Sequence, residues 1–175
     1  MSENYTVRSL GVSDAEDWAR LRREALLNHP LAFGASVPDD PNQLLEIARD
    51  RLQTNDESAV FGAFRENVLV GIVGIRRDPG LKERHKSGIW GMYVVEKSRG
   101  SGAGEMLLRA TIDRACSWPG VEQVELTVND VAQEALRLYQ RCGFREWGRH
   151  PRAICWQGRF SDAIYMMLDL SNPGS

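Results

Sequence analysis

The sequence predicts an α/β fold in one domain, residues 1–175, with a mixed central sheet of about seven strands and flanking helices. Three observations predict it. Two β-rich runs, Ser58 to Phe64 and Val68 to Ile75, are separated only by Arg65-Glu66-Asn67, which reads as an antiparallel hairpin. Gly88 to Val95 leads through a glycine-rich loop into a helix and then into the alternating run Val121 to Val128, which reads as a parallel β–α–β crossover. Two further strand candidates, Phe144 to Gly148 and Ala163 to Leu170, close the chain around a stretch containing Gly158.

The remaining elements follow in order. Tyr5 to Leu10 alternates as a short strand, and Ser13-Asp14-Ala15-Glu16 offers an N-cap with an acid three residues on. A first helix therefore carries Trp18, Leu21, Ala25 and Leu26 until Asn28-His29-Pro30 stops it. A Gly/Pro-punctuated loop, Gly34 to Pro41, precedes a second helix marked by Leu44, Leu45, Ile47, Ala48 and Leu52. Asp78-Pro79-Gly80 breaks the chain after the hairpin. The helix after the glycine loop carries Met106, Leu107, Ala110 and Thr111, and Pro119-Gly120 ends it. A fourth helix places Ala132, Ala135, Leu136 and Tyr139 at helical spacing before Cys142-Gly143.

Composition narrows the function classes. With 22 basic and 24 acidic residues the formal charge is −2, so no strongly basic surface is available for nucleic acid or an anionic membrane. No apolar run approaches the ~20 residues of a membrane-spanning helix, and the start of the chain lacks the pattern of a secretory signal, so the expected location is cytoplasmic. Cys116, Cys142 and Cys155 are far apart, as reduced thiols would be. His29, His85 and His150 are equally scattered, and neither HExxH nor CxxC spacing occurs, so no metal site is expected.

The loop Arg99-Gly100-Ser101-Gly102-Ala103-Gly104 carries the chemistry. A glycine-rich turn from strand to helix points backbone N–H groups along the positive end of a helix dipole, which suits phosphate, and Arg99 adds a charged donor. A P-loop would need Lys and Ser/Thr where Glu105-Met106 stand. A dinucleotide fingerprint would need its third glycine at 105 rather than 104, although Asp130 closes the next strand as a ribose-binding acid would.

Arg99, Gly102 and Gly104 match the Arg/Gln-x-x-Gly-x-Gly/Ala signature, and Asn129, Ala132, Ala135 and Leu138-Tyr139-Gln140-Arg141-Cys142-Gly143-Phe144 match a second, downstream one. On these residues the chain resembles the GNAT N-acetyltransferase superfamily. Glu96 departs from the pattern, standing where proline is common.

The resemblance implies the GNAT-like fold with a splayed parallel strand pair, and acetyl-CoA as co-substrate, with no metal. It implies that Arg99, Gly100, Ser101, Gly102, Ala103, Gly104 and Glu105 hold the pyrophosphate, that pantetheine runs along Met92, Tyr93 and Val94, and that the Val94 N–H polarises the thioester carbonyl. Asn129 would bond pantetheine or substrate, and Tyr139 would both anchor the sulfur and act as the catalytic acid. The implied partners are acetyl-CoA and an amine, small or on a protein, with a homodimer allowed and with no nucleic acid or membrane. The implied reaction is direct transfer to a primary amine in a ternary complex. A CoA-binding sensor without turnover and a dinucleotide-binding protein are the alternatives.

Two points stay open. The strand before the loop contains no acid, and Glu83, His85 and Glu125 read as ordinary exposed charges, so the general base is unassigned. The acceptor would enter past His29, Phe33, Trp156 and Phe160, where Asp39, Asp40 and Asp162 could attract a cationic amine.

Overall fold

A computed structural model describes residues 4–53 and 55–171. Seven strands form one sheet in the order β1-β2-β3-β4-β5-β7-β6. They are β1 (Tyr5–Ser9), β2 (Ser58–Arg65), β3 (Val68–Arg77), β4 (Lys86–Val94), β5 (Gln123–Asn129), β6 (Arg145–Trp156) and β7 (Arg159–Asp169). Among the described residues four helices cover them: α1 (Ala15–Asn28), α2 (Leu45–Arg51), α3 (Ala103–Ser117) and α4 (Gln133–Arg141). All neighbouring strands run antiparallel except β4 and β5, which are parallel.

Both faces of the sheet are buried, and β3 shows it most directly, with Leu69 to Ile75 buried without interruption. Leu69 and Ile72 pack with Trp18, Leu21 and Ala48 of α1 and α2. Val70, Val73 and Ile75 pack with Leu107, Leu108 and Ala115 of α3 on the other face. This double burial explains a continuous apolar run where a one-sided strand would alternate.

The β2–β3 turn places Glu66 and Asn67 at φ 49° and 66°, the two left-handed residues of a tight hairpin. The start of α1 differs from expectation. A short 3-10 turn, Val12–Asp14, precedes it, and the helix begins at Ala15. Asp14, rather than Ser13, is the N-cap, and its carboxylate accepts from the Gly11 N–H at 2.9 Å and from the Arg8 guanidinium at 2.8 and 2.7 Å.

The final hairpin is much longer than the sequence suggests. Its strands run to a two-residue turn at Gln157 and Gly158, both with positive φ. Alternation fails in β6 for two reasons. It is an edge strand that is exposed over most of its length, and bulges at Glu146/Gly148 and His150/Ile154 shift its register. Pro151 sits at the second bulge, where an edge strand tolerates a missing N–H.

Candidate active site

The site begins with a defect in β4. Trp90 pairs with Gly74 and Tyr93 with Ile72, so Gly91 and Met92 face one β3 residue. Gly91 lies at φ 63°, and the Trp90 indole occupies the space that a Cβ on Gly74 would need. The parallel β4–β5 pairing covers only Lys86↔Gln123 to Gly88↔Glu125. Beyond it the two strands part, leaving a cleft of about 730 Å³ between β4, β5, α4 and the segment after α1.

The open edge of β4 carries usable backbone groups. The Val95 N–H donates to Val70 on β3 at 2.9 Å, so the neighbouring Val94 N–H faces the opposite edge, over the cleft. The Val94 carbonyl faces the same way and accepts from Arg99 Nε at 3.0 Å.

The glycine loop lies at the same end. Gly100 and Gly102 adopt φ 70° and 94°, with no neighbouring atom within 4 Å of the place where a Cβ would stand. Gly102 is the N-cap of α3, so the first N–H groups of that helix point out of this loop. The Ser101 hydroxyl donates to the Ser98 carbonyl at 2.6 Å and closes the turn from inside. The 3-10 turn Glu96–Ser98 forms without the proline common at position 96.

Of the residues singled out in the sequence, Met92, Tyr93, Val94, Arg99, Gly100, Gly104 and Tyr139 line the cleft together. Ser101 and Gly102 in the loop and Ala103 and Glu105 in the first turn of α3 lie behind the wall, where Ala103 is fully buried and Glu105 pairs with Arg109 at 2.7 Å. Asn129 is also off the wall: its amide donates to Ser161 Oγ at 3.3 Å and to the Asp162 carbonyl at 3.4 Å.

Tyr139 projects from α4 with its hydroxyl donating to Met92 Sδ at 3.4 Å and its ring 5.9 Å from Phe144. Burial pushes its phenol well above the ordinary range, so it keeps its proton. Tyr93 donates to Glu24 Oε1 of α1 at 2.8 Å, and burial together with that carboxylate raises its pKa too. His29, just past α1, meets Arg99 at 2.8 Å, and burial first, then the Arg99 charge, lowers its pKa.

The expected acceptor-side residues divide. His29 and Phe33 line the cleft, whereas Trp156 and Phe160 do not. The three acids are occupied elsewhere. Asp40 is buried against Arg22 at 2.6 Å, Asp39 accepts from Ser36 N–H and Oγ at 2.6 and 2.8 Å, and Asp162 accepts from the Arg152 N–H at 2.8 Å. The sequence reading missed Arg137, Arg141 and Arg159 on the wall. The first two flank Leu138 and Tyr139 at i and i+4, a helical spacing that could have shown them, while Arg159 depends on the unforeseen length of the hairpin.

Comparison with known proteins gives a consistent family. The model of the acetyltransferase (GNAT) family matches residues 15–144. Mycothiol acetyltransferase of Brachybacterium faecium is 33% identical over 139 residues, covering 78% of this chain and 39% of that protein. The chain spans less than two thirds of the length of the curated relatives it matches. A GNAT-family acetyltransferase from Streptococcus pneumoniae superposes with a TM-score of 0.81 at 24% identity, covering 95% of this chain and 99% of that one. The yncA protein of Salmonella typhimurium, solved with acetyl-CoA, gives 0.82 at 21% identity, covering 98% and 97%. At these identities the two structures establish the fold.

Proposed function

The chain belongs to the acetyltransferase (GNAT) family, and on that premise we propose that it is an acetyl-CoA-dependent N-acetyltransferase acting on a primary amine, in the cytoplasm, by direct transfer. The observation that carries this is the conjunction at the end of β4: the Val94 N–H facing an open strand edge beside a glycine loop that opens α3. The relatives support an amine acceptor, being named for mycothiol, L-amino acids and spermine/spermidine.

The residues fit the co-substrate. Free space at Gly100 and Gly102 lets a phosphate approach the first N–H groups of α3, and Arg137 and Arg141 add positive charge to the same cleft. When bound, acetyl-CoA supplies an activated acetyl thioester. The Val94 N–H is the donor for the oxygen on which charge builds when the amine attacks. Met92 and Tyr93 present the strand edge, and Arg99 holds the Val94 carbonyl in place. Asn129 ties the end of β5 to β7 through Ser161 and Asp162.

Tyr139 is the proton source. Amide formation breaks the carbon–sulfur bond, and the departing sulfur needs a proton, which a buried phenol retains for it at neutral pH. Its present partner, Met92 Sδ, is already a sulfur acceptor.

A thermal-shift panel of acetyl-CoA, CoA, NAD(P) and ATP, followed by thiol release with an amine library, tests this reading. Stabilisation by acetyl-CoA and CoA with amine-dependent thiol release is expected. Stabilisation by NAD(P) alone would overturn it, and CoA binding with no thiol release from any amine would leave a sensor instead of an enzyme.

A further inference from the structure

The charges on the cleft wall say more about the acceptor. Among the described residues four arginines line it, Arg99, Arg137, Arg141 and Arg159, against one carboxylate, Glu134. Three of them accompany the glycine loop and α4. Arg159 comes from elsewhere. It starts β7, two residues before Ser161, whose hydroxyl donates to the Leu31 carbonyl at 3.0 Å and accepts from Asn129 at the end of β5 at 3.3 Å. The final hairpin is thereby fastened to the segment after α1, and Arg159 stands where that segment meets the cleft. Among the described residues nothing neutralises it, and the neighbouring Asp162 is taken by the Arg152 N–H and, at 3.7 Å, by Arg149.

We infer that the acceptor is an amine that also bears a carboxylate, an amino acid with an apolar side chain, and that Arg159 recognises the carboxylate. This rests on the proposed acetyltransferase reading and narrows it. A polyamine would bring several positive charges to a wall that carries four arginines and one carboxylate, which is unfavourable. An α-amino acid brings one anion for the free guanidinium, which suits it by its planar donor fork. Leu31, Phe33 and Val131 on the same wall supply an apolar lining for the side chain. In the reaction the amine nitrogen bonds the acetyl carbon as the carbon–sulfur bond breaks, yielding the N-acetyl amino acid and the thiol. An acceptor that enters as its ammonium form also releases one proton to solvent.

The test pairs each acceptor with a version lacking its charge. L-leucine, L-methionine and L-phenylalanine are compared with their amides and with spermidine, using thiol release at saturating acetyl-CoA. The intact protein should favour each acid over its amide, and both over spermidine. Arg159 is exposed, so R159Q keeps the fold. It should raise KM for the acids by roughly 10–100-fold, the range for losing a hydrogen bond to a charged group, with little change in kcat, and bring the acid-to-amide ratio near one. R159K should restore part of the preference. Calorimetry of N-acetyl-L-leucine binding to the CoA complex should show the same loss without turnover. Spermidine as the best acceptor, or an equal effect of R159Q on acids and amides, overturns the inference while the acetyltransferase reading stands. Failure to release thiol with any amine overturns both.

Discussion

His29 Nε2 accepts from the Arg99 guanidinium at 2.8 Å, because arginine has no lone pair to offer and the imidazole must provide one. Arg99 at the same time donates to the Val94 carbonyl and lies 5.7 Å from the centre of the Tyr93 ring. The pair therefore joins the end of α1 to the open edge of β4, across one side of the cleft.

Neutral His29 follows from this arrangement. Its burial and the Arg99 charge lower its pKa, while the carboxylates of Glu96, Glu134 and Glu24 oppose them. An NMR titration should place His29 below the ordinary value of about 6.5. Arg99→Gln should move it upward yet leave it below that value, since burial remains. Because the folded-state pKa lies below the unfolded one, the stability linked to neutral His29 holds above about pH 6.5 and fades as pH falls through the folded value. A midpoint at or above the ordinary value would contradict the donor–acceptor assignment.

The loop Gly34 to Pro41 is anchored by another pair. Asp40 is buried and accepts from Arg22 Nε and Nη2 at 2.6 and 3.1 Å, from Asn42 and from Gln43. Burial pushes its pKa up, but these donors outweigh it and the net direction is down. Asp40→Ala strands the half-buried guanidinium, so urea denaturation should show a loss of about 3–5 kcal/mol. Asp39→Ala, at an exposed loop position, should cost far less. The Asp40 contribution is present above the unfolded carboxylate pKa and is lost as pH falls through the lower folded value. Equal midpoints for the two variants would show that the buried pair anchors nothing.

The glycine loop and the βαβ crossover were legible because they depend on local signals: residues that tolerate positive φ at Gly100 and Gly102, then a helical stripe. All seven strands have a counterpart in the sequence pattern, and ten of the twelve site residues lie on two contiguous stretches, 92–94 and 99–105, whose pattern alone indicates strand, loop or helix. What escaped was long-range. No local pattern says that Asp39, Asp40 and Asp162 are satisfied within the protein, or that Arg159 reaches a cleft formed by β4, β5 and α4. Asn129 was equally opaque, since its partners Ser161 and Asp162 lie on a strand whose bulged neighbour, β6, breaks the alternation used to recognise strands.

Gly102 tests the phosphate cradle. At φ 94° it takes a conformation that costs a side-chain-bearing residue roughly 1–2 kcal/mol, although open space surrounds it. Gly102→Ala reports that strain alone and should lower thermal stability modestly. Gly102→Glu adds a carboxylate at the N-terminus of α3, where an anionic ligand would sit, and should abolish acetyl-CoA binding by calorimetry in a protein about as stable as the alanine variant. Wild-type affinity in the folded glutamate variant would remove the loop from the cofactor site.

Tyr139 separates chemistry from packing. Tyr139→Phe keeps the ring against Phe144 and deletes only the hydroxyl that meets Met92 Sδ. If the phenol protonates the departing sulfur, kcat should fall by ~10²–10⁴ with acetyl-CoA affinity little changed. A structural tyrosine predicts near-normal turnover and a stability loss of about 1 kcal/mol from one hydrogen bond. The measurement needs an amine whose acetylation is limited by chemistry, established from single-turnover rates, because slow product release would mask the loss. A kcat within about threefold of wild type under that condition, far short of the general-acid range, would return Tyr139 to the core and leave the sulfur to be protonated by water.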